Sequence, residues 1–375
     1  MIWVYLASAT LVALLLLIWI GYPLIMGGLS RFLGRPCQPD RGAAVGRSVS
    51  VVLATREASE LVLARVQNLL DTDHPLERLE IIVVRDVLSR EIWPVTAFEG
   101  FPVRVVDGDQ PGGKAAALNA GVRASQGEVL VMADTAQRFT RDTIPELVAA
   151  LEDARFGAIS GALELGRAGG ASPVHWYWSL EKWLRHSEAR IHSSIGVTGA
   201  VYAMRRQLWV PIPDGTLLDD VFVPMSLVLR GYRVGFSYAA QAYDVRSFSS
   251  KAEETRKTRT LTGVLQLIAL LPETLSRRNP VVLQFVMHKL ARLATPLLIA
   301  LFLPVALWVF TDLARAYPAS FGGGTAATIA VVLTVPRLRQ KTASAFGWFY
   351  SMQRATIIAL FNGLRGNWSV WGSPK

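Results

Sequence analysis

Hydrophobic and polar positions divide the 375-residue chain into three parts. Residues 2–26 are almost wholly apolar and carry no charge, whereas residues 48–236 alternate short apolar runs with amphipathic stretches. From residue 251 the chain begins basic and becomes apolar again. Because about 20 apolar residues suffice to cross a bilayer, the pattern predicts an N-terminal membrane helix, a central α/β domain and a C-terminal membrane region.

The apolar segments set the predicted boundaries. We expect a transmembrane helix at 1–27, a linker at 28–47, the α/β domain at 48–250, amphipathic interface helices at 251–290 and a C-terminal membrane region at 291–375. That last region holds two or three segments: Leu293–Phe310, the shorter Phe321–Val335, and Phe346–Leu360, which either spans the membrane or lies in its interface.

The distribution of basic residues around the first apolar segment predicts how the chain is oriented in the membrane. A cleaved signal peptide fits residues 2–26 badly, because basic residues follow the apolar run instead of preceding it. The same asymmetry places the N-terminus outside and the central domain in the cytoplasm. We therefore expect a multi-pass cell-membrane protein, of the bacterial inner membrane, with a cytoplasmic α/β domain.

Short apolar runs in the central domain predict strands separated by helices. The strands are expected at Ser48–Ala54, Leu79–Val84, Val103–Val106, Glu128–Met132, Gly157–Ala162 and Tyr232–Phe236. The helices are expected at Glu57–Leu70, Ala115–Ala124, Asp142–Glu152, His175–Ser193 and Val221–Leu229. This alternation is typical of a sheet with βαβ units, and we expect most aromatic residues of His175–Ser193 to pack against that sheet.

Charged residues fall where strands end, and ligands of open α/β sheets bind beyond those carboxyl ends. Asp134 follows one strand, where a carboxylate can hold a hard cation and, through it, a diphosphate. Lys114, at the start of a helix, would supply a point charge for phosphate. For the isolated pattern, a capping Asp134 and a solvated Lys114 are the more frequent outcome. Asp86 follows another strand and, taken alone, is more often a turn residue.

Two further acids open the helix at Val221. Carboxylates at a helix N-terminus are favoured by the helix dipole, and this capping role is the alternative interpretation of both acids, above all of Asp219. Its neighbour Asp220 is the candidate catalytic base. Gly196–Met204 is expected to be a glycine-punctuated turn that leads into a strand, which is consistent with close approach of the backbone to a ligand.

Composition narrows the protein class. Hydrophobic residues make up 51% of the chain and charged residues only 18%, below the usual level of about 25%. The net charge is +10, but the basic residues flank apolar segments, which suits anionic lipid and not nucleic acid. Cys37 is the only cysteine, which excludes a disulfide framework and a zinc cluster.

Seven motifs in order resemble those of the membrane-bound family 2 glycosyltransferases of GT-A fold, which include cellulose, hyaluronan and chitin-oligosaccharide synthases. They are SVVLATRE, IIVVRD, GGKAAALNAG, VLVMAD, VTGAVYAMRR, LLDDV and RKTRTLTG. Each motif is weak alone, but the ordered set with flanking membrane segments is specific. The resemblance runs from Ser48 into the apolar C-terminal segments.

The resemblance implies an inverting transfer of a sugar from a nucleotide-sugar to a lipid-linked or growing polysaccharide acceptor at the membrane, for cell-surface polysaccharide synthesis. It implies donor binding by Thr55, Glu57, Asp86, Lys114, Asp134, Arg256 and Arg259. It places Thr198, Gly199 and Ala200 on the acceptor side, Asp219 and Asp220 at the catalytic step, and Mg²⁺ or Mn²⁺ at Asp134. Membrane lipid and export or assembly proteins are the further partners expected, and nucleic acid is not.

Departures from the family pattern keep alternatives open. Asp134-Thr135-Ala136 lacks the second carboxylate of Asp-x-Asp, which puts metal binding in doubt, and Arg85-Asp86-Val87-Leu88 replaces Ser-Asp-Gly-Ser. Glu57 stands where Asn is usual, and Thr260 replaces the Trp of the processive signature. One alternative is a non-catalytic, degenerate relative that binds a ligand or acts as a scaffold. Another is a transferase that adds one sugar to a polyprenyl phosphate.

Overall fold

Two long apolar helices lie at opposite ends of the chain in the computed structural model, which describes residues 2–94, 96–165, 173–244, 250–318 and 334–370. Helix α1 (Ile2–Leu16) continues through a π-helical turn, Leu17–Gly21, into α2 (Tyr22–Phe32). The predicted segment Phe321–Val335 falls almost wholly outside the described residues.

The C-terminal part of the chain is helical. It comprises α9 (Ser250–Leu270), α10 (Val282–Phe285), a π-helical turn at Val286–Leu290, α11 (Ala291–Leu293), α12 (Thr295–Ala316) and α13 (Pro336–Leu364). Helices Ile2–Phe32 and Thr295–Ala316 are long and apolar enough to cross a membrane, judged by length and composition. They contact each other, since the Tyr5 hydroxyl donates a hydrogen bond to Asp312 Oδ2 at 2.6 Å.

A mixed eight-stranded sheet forms the centre of the described chain. Its strands are β1 (Val49–Thr55), β2 (Leu79–Arg85), β3 (Val103–Asp107), β4 (Val129–Ala133), β5 (Gln137–Phe139), β6 (Phe156–Leu165), β7 (Val201–Arg205) and β8 (Arg233–Asp244). Their order is β3-β2-β1-β4-β7-β6-β8-β5. The first four in this order are mutually parallel, whereas β7 is antiparallel to β4 and β6.

The remaining helices cover the two faces of the sheet. They are α3 (Arg41–Ala44), α4 (Ser59–Leu70), α5 (Lys114–Ala124), α6 (Thr143–Leu151), α7 (Pro173–Ile191) and α8 (Asp219–Leu229). Successive strand residues point to opposite faces, so Val51 and Leu53 pack with α4 and α6, while Val52 packs with α5 and α8. Gly121 lets α5 lie close on the sheet, because a Cβ there would come within 2.5 Å of Val52.

Most predicted elements are confirmed, with bounds displaced by a few residues. Strands β6 and β8 are longer than predicted, because they pair with each other as far as Leu165 and Asp244. Strand β5 was not predicted, since three residues carry too little of the period-2 pattern to stand out.

The expectation that the aromatic residues of α7 pack mostly against the sheet is wrong for three of them. Trp183 fills the space beside Gly27 of α2 and leaves no room for a Cβ there. Trp178 lies under Arg256 of α9, and the Tyr177 ring contacts Trp348 of α13 at 5.8 Å. This face of α7 is covered by other helices, so the aromatic rings fill helix–helix contacts.

Candidate active site

The carboxyl end of β4 and the N-terminus of α5 bring two predicted residues together. Lys114 Nζ donates a hydrogen bond to Asp134 Oδ1 at 3.0 Å. The chain reaches Lys114 through Gly112 and Gly113, whose φ angles of 89° and 95° lie in the left-handed region that favours glycine. The two glycines therefore set the turn that aims Lys114 at the end of β4.

The acids at the start of α8 lie at the same place. Asp219 Oδ2 is 3.7 Å from Lys114 Nζ. This oxygen is buried and has no hydrogen-bond partner. Lys114 thus faces both Asp134 and Asp219, although 85 residues separate these two acids in the sequence.

The loop before β7, residues 196–200, lies against Asp220. The backbone N–H of Val197 donates to the Asp220 carbonyl at 2.9 Å. A Cβ on Gly199 would lie 3.3 Å from Asp220 Cβ and 3.7 Å from Lys114 Nζ, so this loop approaches the acids closely. The structure therefore brings Thr198, Gly199 and Ala200 to the cluster formed by Lys114, Asp134, Asp219 and Asp220, which we call the carboxylate cluster.

The charges in the carboxylate cluster are unbalanced. Burial raises the pKa of Asp220, and the neighbouring Asp219 raises it further against the opposing effects of Lys114, Arg185 and Arg259. Burial acts to lower the pKa of Lys114, but Asp134 and Asp219 outweigh it, so the net shift is upward. Lys114 is therefore a permanent cation, whereas Asp220 binds a proton more readily than an ordinary aspartate.

Asp86 is part of the framework behind this cluster. Its Oδ1 accepts hydrogen bonds from the backbone N–H groups of Leu88 and Gly113, both at 3.0 Å, and its Oδ2 accepts one from Arg56 at 2.6 Å. Burial opposes ionisation, but these hydrogen bonds outweigh it and the pKa of Asp86 is lowered. Asp86 thus fixes the turn that leads to Lys114, and its predicted contact with a donor stays a prediction.

Thr55 and Glu57 lie at the end of β1. The Thr55 hydroxyl accepts hydrogen bonds from Thr135 Oγ1 at 2.8 Å and from the Glu57 backbone N–H at 3.0 Å. The Glu57 side chain is exposed. Thr55 therefore ties the edge of β1 to the residue after Asp134, while the carboxylate of Glu57 faces solvent.

The two predicted arginines of α9 have different surroundings. The Arg259 charge acts on Asp220. The Arg256 guanidinium lies over the Trp178 ring, 5.1 Å from the ring centroid. The backbone carbonyl of Arg256 accepts a hydrogen bond from the Thr260 hydroxyl at 2.9 Å. Arg259 therefore belongs to the electrostatic environment of the site, and Arg256 lies against α7.

Comparison with known proteins agrees with this geometry. Residues 50–207 match the family described as Glycosyl transferase family 2. This part of the chain is therefore similar to a family 2 glycosyltransferase domain. No curated protein matches the chain.

One solved structure shares the fold beyond residues 50–207. The mannosyltransferase PcManGT from Pyrobaculum calidifontis, in complex with GDP-Man and Mn²⁺, is 21% identical, with a TM-score of 0.68. The alignment covers 96% of this chain and 99% of that one. Two others align less well. A mycobacterial protein is 16% identical with a TM-score of 0.44, and the alignment covers 61% of this chain and 76% of that one. GalNAc-T7 with UDP, GalNAc and Mn²⁺ is 14% identical with a TM-score of 0.41, and the alignment covers 66% of this chain and 54% of that one. The fold that this chain shares with PcManGT therefore extends over nearly the whole of both chains.

The stretch that corresponds to the Asp-x-Asp motif offers one carboxylate for a metal. If Asp134 is taken as the second acid of the Asp-x-Asp motif, the first position is occupied by Met132, which is apolar and 1% exposed. Asp134 is therefore the only carboxylate of the motif, whichever of its two acidic positions Asp134 occupies. Among the described residues no group of three or more His, Cys, Asp or Glu side chains forms a cation site. The cluster nevertheless has more carboxylate than cationic charge, including the unpartnered oxygen of Asp219. These residues fit a divalent ion that is bound jointly with donor phosphates, as Mg²⁺ commonly is.

Sequence reasoning missed Arg65 and Arg185. Arg65 is fully buried, and its Nε donates to the Asp134 carbonyl at 3.1 Å. Burial and the nearby Arg138 lower the pKa of Arg65 to about 9. A signal existed in the sequence, because Arg65 shares the apolar face of α4 with Val62, Val66 and Leu69. Arg185 gave no such signal, since α7 carries many polar residues.

Proposed function

We propose that this protein is an inverting glycosyltransferase that moves a sugar from a nucleotide-sugar to a lipid-linked or growing polysaccharide acceptor at the membrane. The observation that carries the proposal is the convergence of Lys114, Asp134, Asp219 and Asp220 in one cluster beside a family 2 domain. A purely structural protein gains nothing from acids whose charges repel one another. Perturbed titratable groups of this kind concentrate at functional sites.

Asp220 is the base in this proposal. It accepts the proton of the acceptor hydroxyl as that oxygen forms a bond to the anomeric carbon of the donor sugar. The bond between this carbon and the diphosphate oxygen breaks, and the nucleoside diphosphate leaves with the electron pair. A base works best when its pKa lies near the working pH, and the upward shift at Asp220 acts in that direction.

The cations of the site stabilise the leaving group. Lys114 faces the edge where the diphosphate would lie, and Arg259 contributes positive charge beside Asp220. Arg256 would join them from α9, and Asp86 and Thr55 hold the turns that shape the donor side. Mg²⁺ or Mn²⁺, held by Asp134 and the donor phosphates, would add further stabilisation of the developing negative charge.

The two long apolar helices support action at a membrane. An acceptor that is lipid-linked, or a polymer that must be exported, explains why a transferase would carry such helices. We therefore place the protein in the cell membrane as a multi-pass protein with its catalytic domain in the cytoplasm. Thr260, in place of the Trp of the processive signature, favours few additions per acceptor, which keeps single transfer to a polyprenyl phosphate as the second candidate.

The experiment is donor turnover by the full chain in nanodiscs. UDP-, GDP- and dTDP-sugars are supplied with lipid-linked acceptors, with or without Mn²⁺ or Mg²⁺, and released nucleoside diphosphate is measured. We expect release from one donor. GDP-mannose is tested first, because the structure of similar fold contains it. No release from any donor would favour the non-catalytic alternative.

A matched pair of variants tests the assignment of the base. Asp220→Asn should reduce transfer by about 10²–10⁴-fold while donor affinity stays near normal. Asp214→Asn, at an exposed position shortly before α8, should leave transfer unchanged. Weakened donor binding in Asp220→Asn would instead reassign Asp220 to the nucleotide site.

A further inference from the structure

A buried arginine lies directly behind the residue that follows β4. Arg65 belongs to α4 and is 0% exposed, and its Nε donates a hydrogen bond to the backbone carbonyl of Asp134 at 3.1 Å. Its Nη1 donates to Asn68 Oδ1, and its guanidinium lies over the Phe139 ring, 4.1 Å from the ring centroid. Arg65 therefore contacts both ends of residues 134–139, the segment that leads from β4 through β5.

Asn68 holds the far end of this segment. Its Nδ2 donates to the Phe139 carbonyl at 3.0 Å, and its Oδ1 accepts a hydrogen bond from the Phe139 N–H at 2.9 Å. Residues three apart on a helix are neighbours on one face, so Arg65 and Asn68 present a single turn of α4 to the first and last residues of the segment. The backbone of Asp134 therefore cannot shift without breaking its hydrogen bond to Arg65.

Burial alone makes arginine an unfavourable residue at this position. Arg65 shares the buried face of α4 with Val62, Val66 and Leu69, where an apolar side chain would fill the space. A buried polar or charged group destabilises the fold unless it is hydrogen-bonded, and Arg65 Nη2 has no hydrogen-bond partner. The hydrogen bond to the Asp134 carbonyl is what an apolar residue could not provide.

The side chain of Asp134 is held from the open side of the site. Its carboxylate is 36% exposed and accepts a hydrogen bond from Lys114 Nζ at 3.0 Å. In the proposed function Lys114 also faces the donor diphosphate, so its hold on Asp134 changes when the donor binds. The hydrogen bond from Arg65 lies on the buried side of Asp134 and is independent of the donor.

We propose that Arg65 is a positioning residue for Asp134: its buried guanidinium fixes the backbone of Asp134 and so keeps the carboxylate in place at the end of β4 when the donor and a divalent ion bind. The inference rests on the proposed function, because that function gives Asp134 the role of holding the ion together with the donor phosphates. It explains how a single carboxylate of the motif suffices, since a group that is already fixed loses less conformational freedom on binding.

The test is the affinity of the full chain in nanodiscs for GDP, UDP and dTDP, measured by calorimetric titration with and without Mn²⁺. Arg65→Met places a methyl group where Nε lies and removes the donor to the Asp134 carbonyl. Removing a group that orients a metal ligand commonly weakens metal binding by 10–100-fold. We therefore expect the nucleotide Kd in the presence of Mn²⁺ to rise roughly 10–100-fold in this variant, and the Kd without Mn²⁺ to change much less.

Two more variants at the same position isolate the hydrogen bond. Arg65→Gln is neutral but places an amide nitrogen where Nε lies, so it should recover much of the Mn²⁺-supported affinity. Arg65→Leu is apolar like the neighbouring residues of this helix face. It carries the same expectation as Arg65→Met and replaces that variant if size-exclusion chromatography shows that Arg65→Met does not fold.

Arg233 offers a matched control. It is 9% exposed, and its guanidinium lies over the Phe156 ring, 4.8 Å from the ring centroid. Its Nη2 donates to the Ala189 carbonyl at 2.9 Å, a contact that joins the start of β8 to α7 and lies outside the carboxylate cluster. Arg233→Met should therefore lower the free energy of unfolding, as Arg65→Met does, but leave the nucleotide Kd unchanged with and without Mn²⁺.

Two results would overturn the inference while leaving the proposed function intact. A folded Arg65→Met or Arg65→Leu variant with the wild-type Kd in Mn²⁺ would show that Arg65 does not position Asp134. An equal rise of that Kd in Arg233→Met would reduce the effect to a general loss of stability. Wild-type protein that binds none of the three nucleotides, with or without Mn²⁺, would instead refute the proposed function, and the inference with it.

Discussion

The carboxylate cluster has a counterpart in a second buried group, which we call the junction cluster and which comprises Tyr22, Glu181, Glu188, His288 and Arg292. The two clusters contain similar groups and are built in opposite ways. In the carboxylate cluster one ammonium, Lys114, faces Asp134 and Asp219, and an oxygen of Asp219 has no hydrogen-bond partner. In the junction cluster two glutamates meet His288 and Arg292, and each carboxylate oxygen is paired. The first retains negative charge for a ligand or proton to neutralise, and the second has none to spare.

The pKa values of Asp220 and Glu181 shift in opposite directions, in line with this difference. The pKa of Asp220 is raised, by burial first and by Asp219 next. Burial also opposes ionisation of Glu181, but His288 and Lys289 outweigh it and hold the pKa of Glu181 well below its usual range. Burial disfavours the ionised form of both carboxylates, and the sign of the charges that face each one decides the outcome. A carboxylate in a paired cluster stabilises the fold, whereas one in an unpaired cluster is available for chemistry.

The largest effect is expected when the junction cluster is broken. Glu181→Gln removes the anion that faces His288 and Arg292, so the buried Arg292 guanidinium and the buried His288 ring lose a charged partner. We expect a loss of about 3–5 kcal/mol in the free energy of unfolding, measured by chemical denaturation in detergent. The control is Glu164→Gln, whose carboxylate is 33% exposed and pairs with Lys182, and which should cost about 1 kcal/mol or less. Equal losses in the two variants would contradict the contrast.

A smaller effect is expected when the carboxylate cluster loses its cation. Lys114→Met removes a charged hydrogen-bond donor from the expected diphosphate site, which is worth about 1.5–3 kcal/mol. Donor Kd should therefore rise by roughly ten- to a hundredfold, as measured by calorimetric titration with the nucleotide-sugar. Lys182→Met, which also removes a lysine paired with an acid, should leave Kd unchanged. An unaltered Kd in Lys114→Met would limit Lys114 to holding Asp134.

The sequence predicted the elements that set the carboxylate cluster because each carries a local signal. Strand β4 is an apolar run that ends at Asp134, and α5 begins at Lys114 after two glycines. Parallel strands place their carboxyl ends at one edge, so Asp134 and Asp86 were expected there. The close approach of Asp219 to Lys114 came only through the family resemblance, because nothing local relates α8 to α5.

The junction cluster could not be predicted from the sequence. Its members are spread from Tyr22 to Arg292, and a pairing across so many residues has no periodic signature. His288 and Arg292 appeared as a basic stretch before an apolar segment, which indicates membrane topology and not burial. Arg65 was missed although its place on the apolar face of α4 was a signal, because its contact with the Asp134 carbonyl joins residues 69 positions apart.

The smallest expected effect is a gain in stability, opposite in sign to the loss expected for Glu181→Gln. Because the pKa of Asp220 is raised in the folded protein, its contribution to stability is present at low pH and is lost as pH rises through the raised pKa. Asp220→Asn removes that loss of stability, so at neutral pH it should raise the Tm by about 2 °C while reducing transfer by about 10²–10⁴-fold. The gain should disappear at pH values low enough to protonate Asp220 in the folded and unfolded chains. Asp214→Asn, at an exposed position, should show no gain at any pH. A lower Tm in Asp220→Asn would mean that the Asp220 carboxylate stabilises the fold, as the carboxylates of the junction cluster do. The proposed difference between the two clusters would then be wrong.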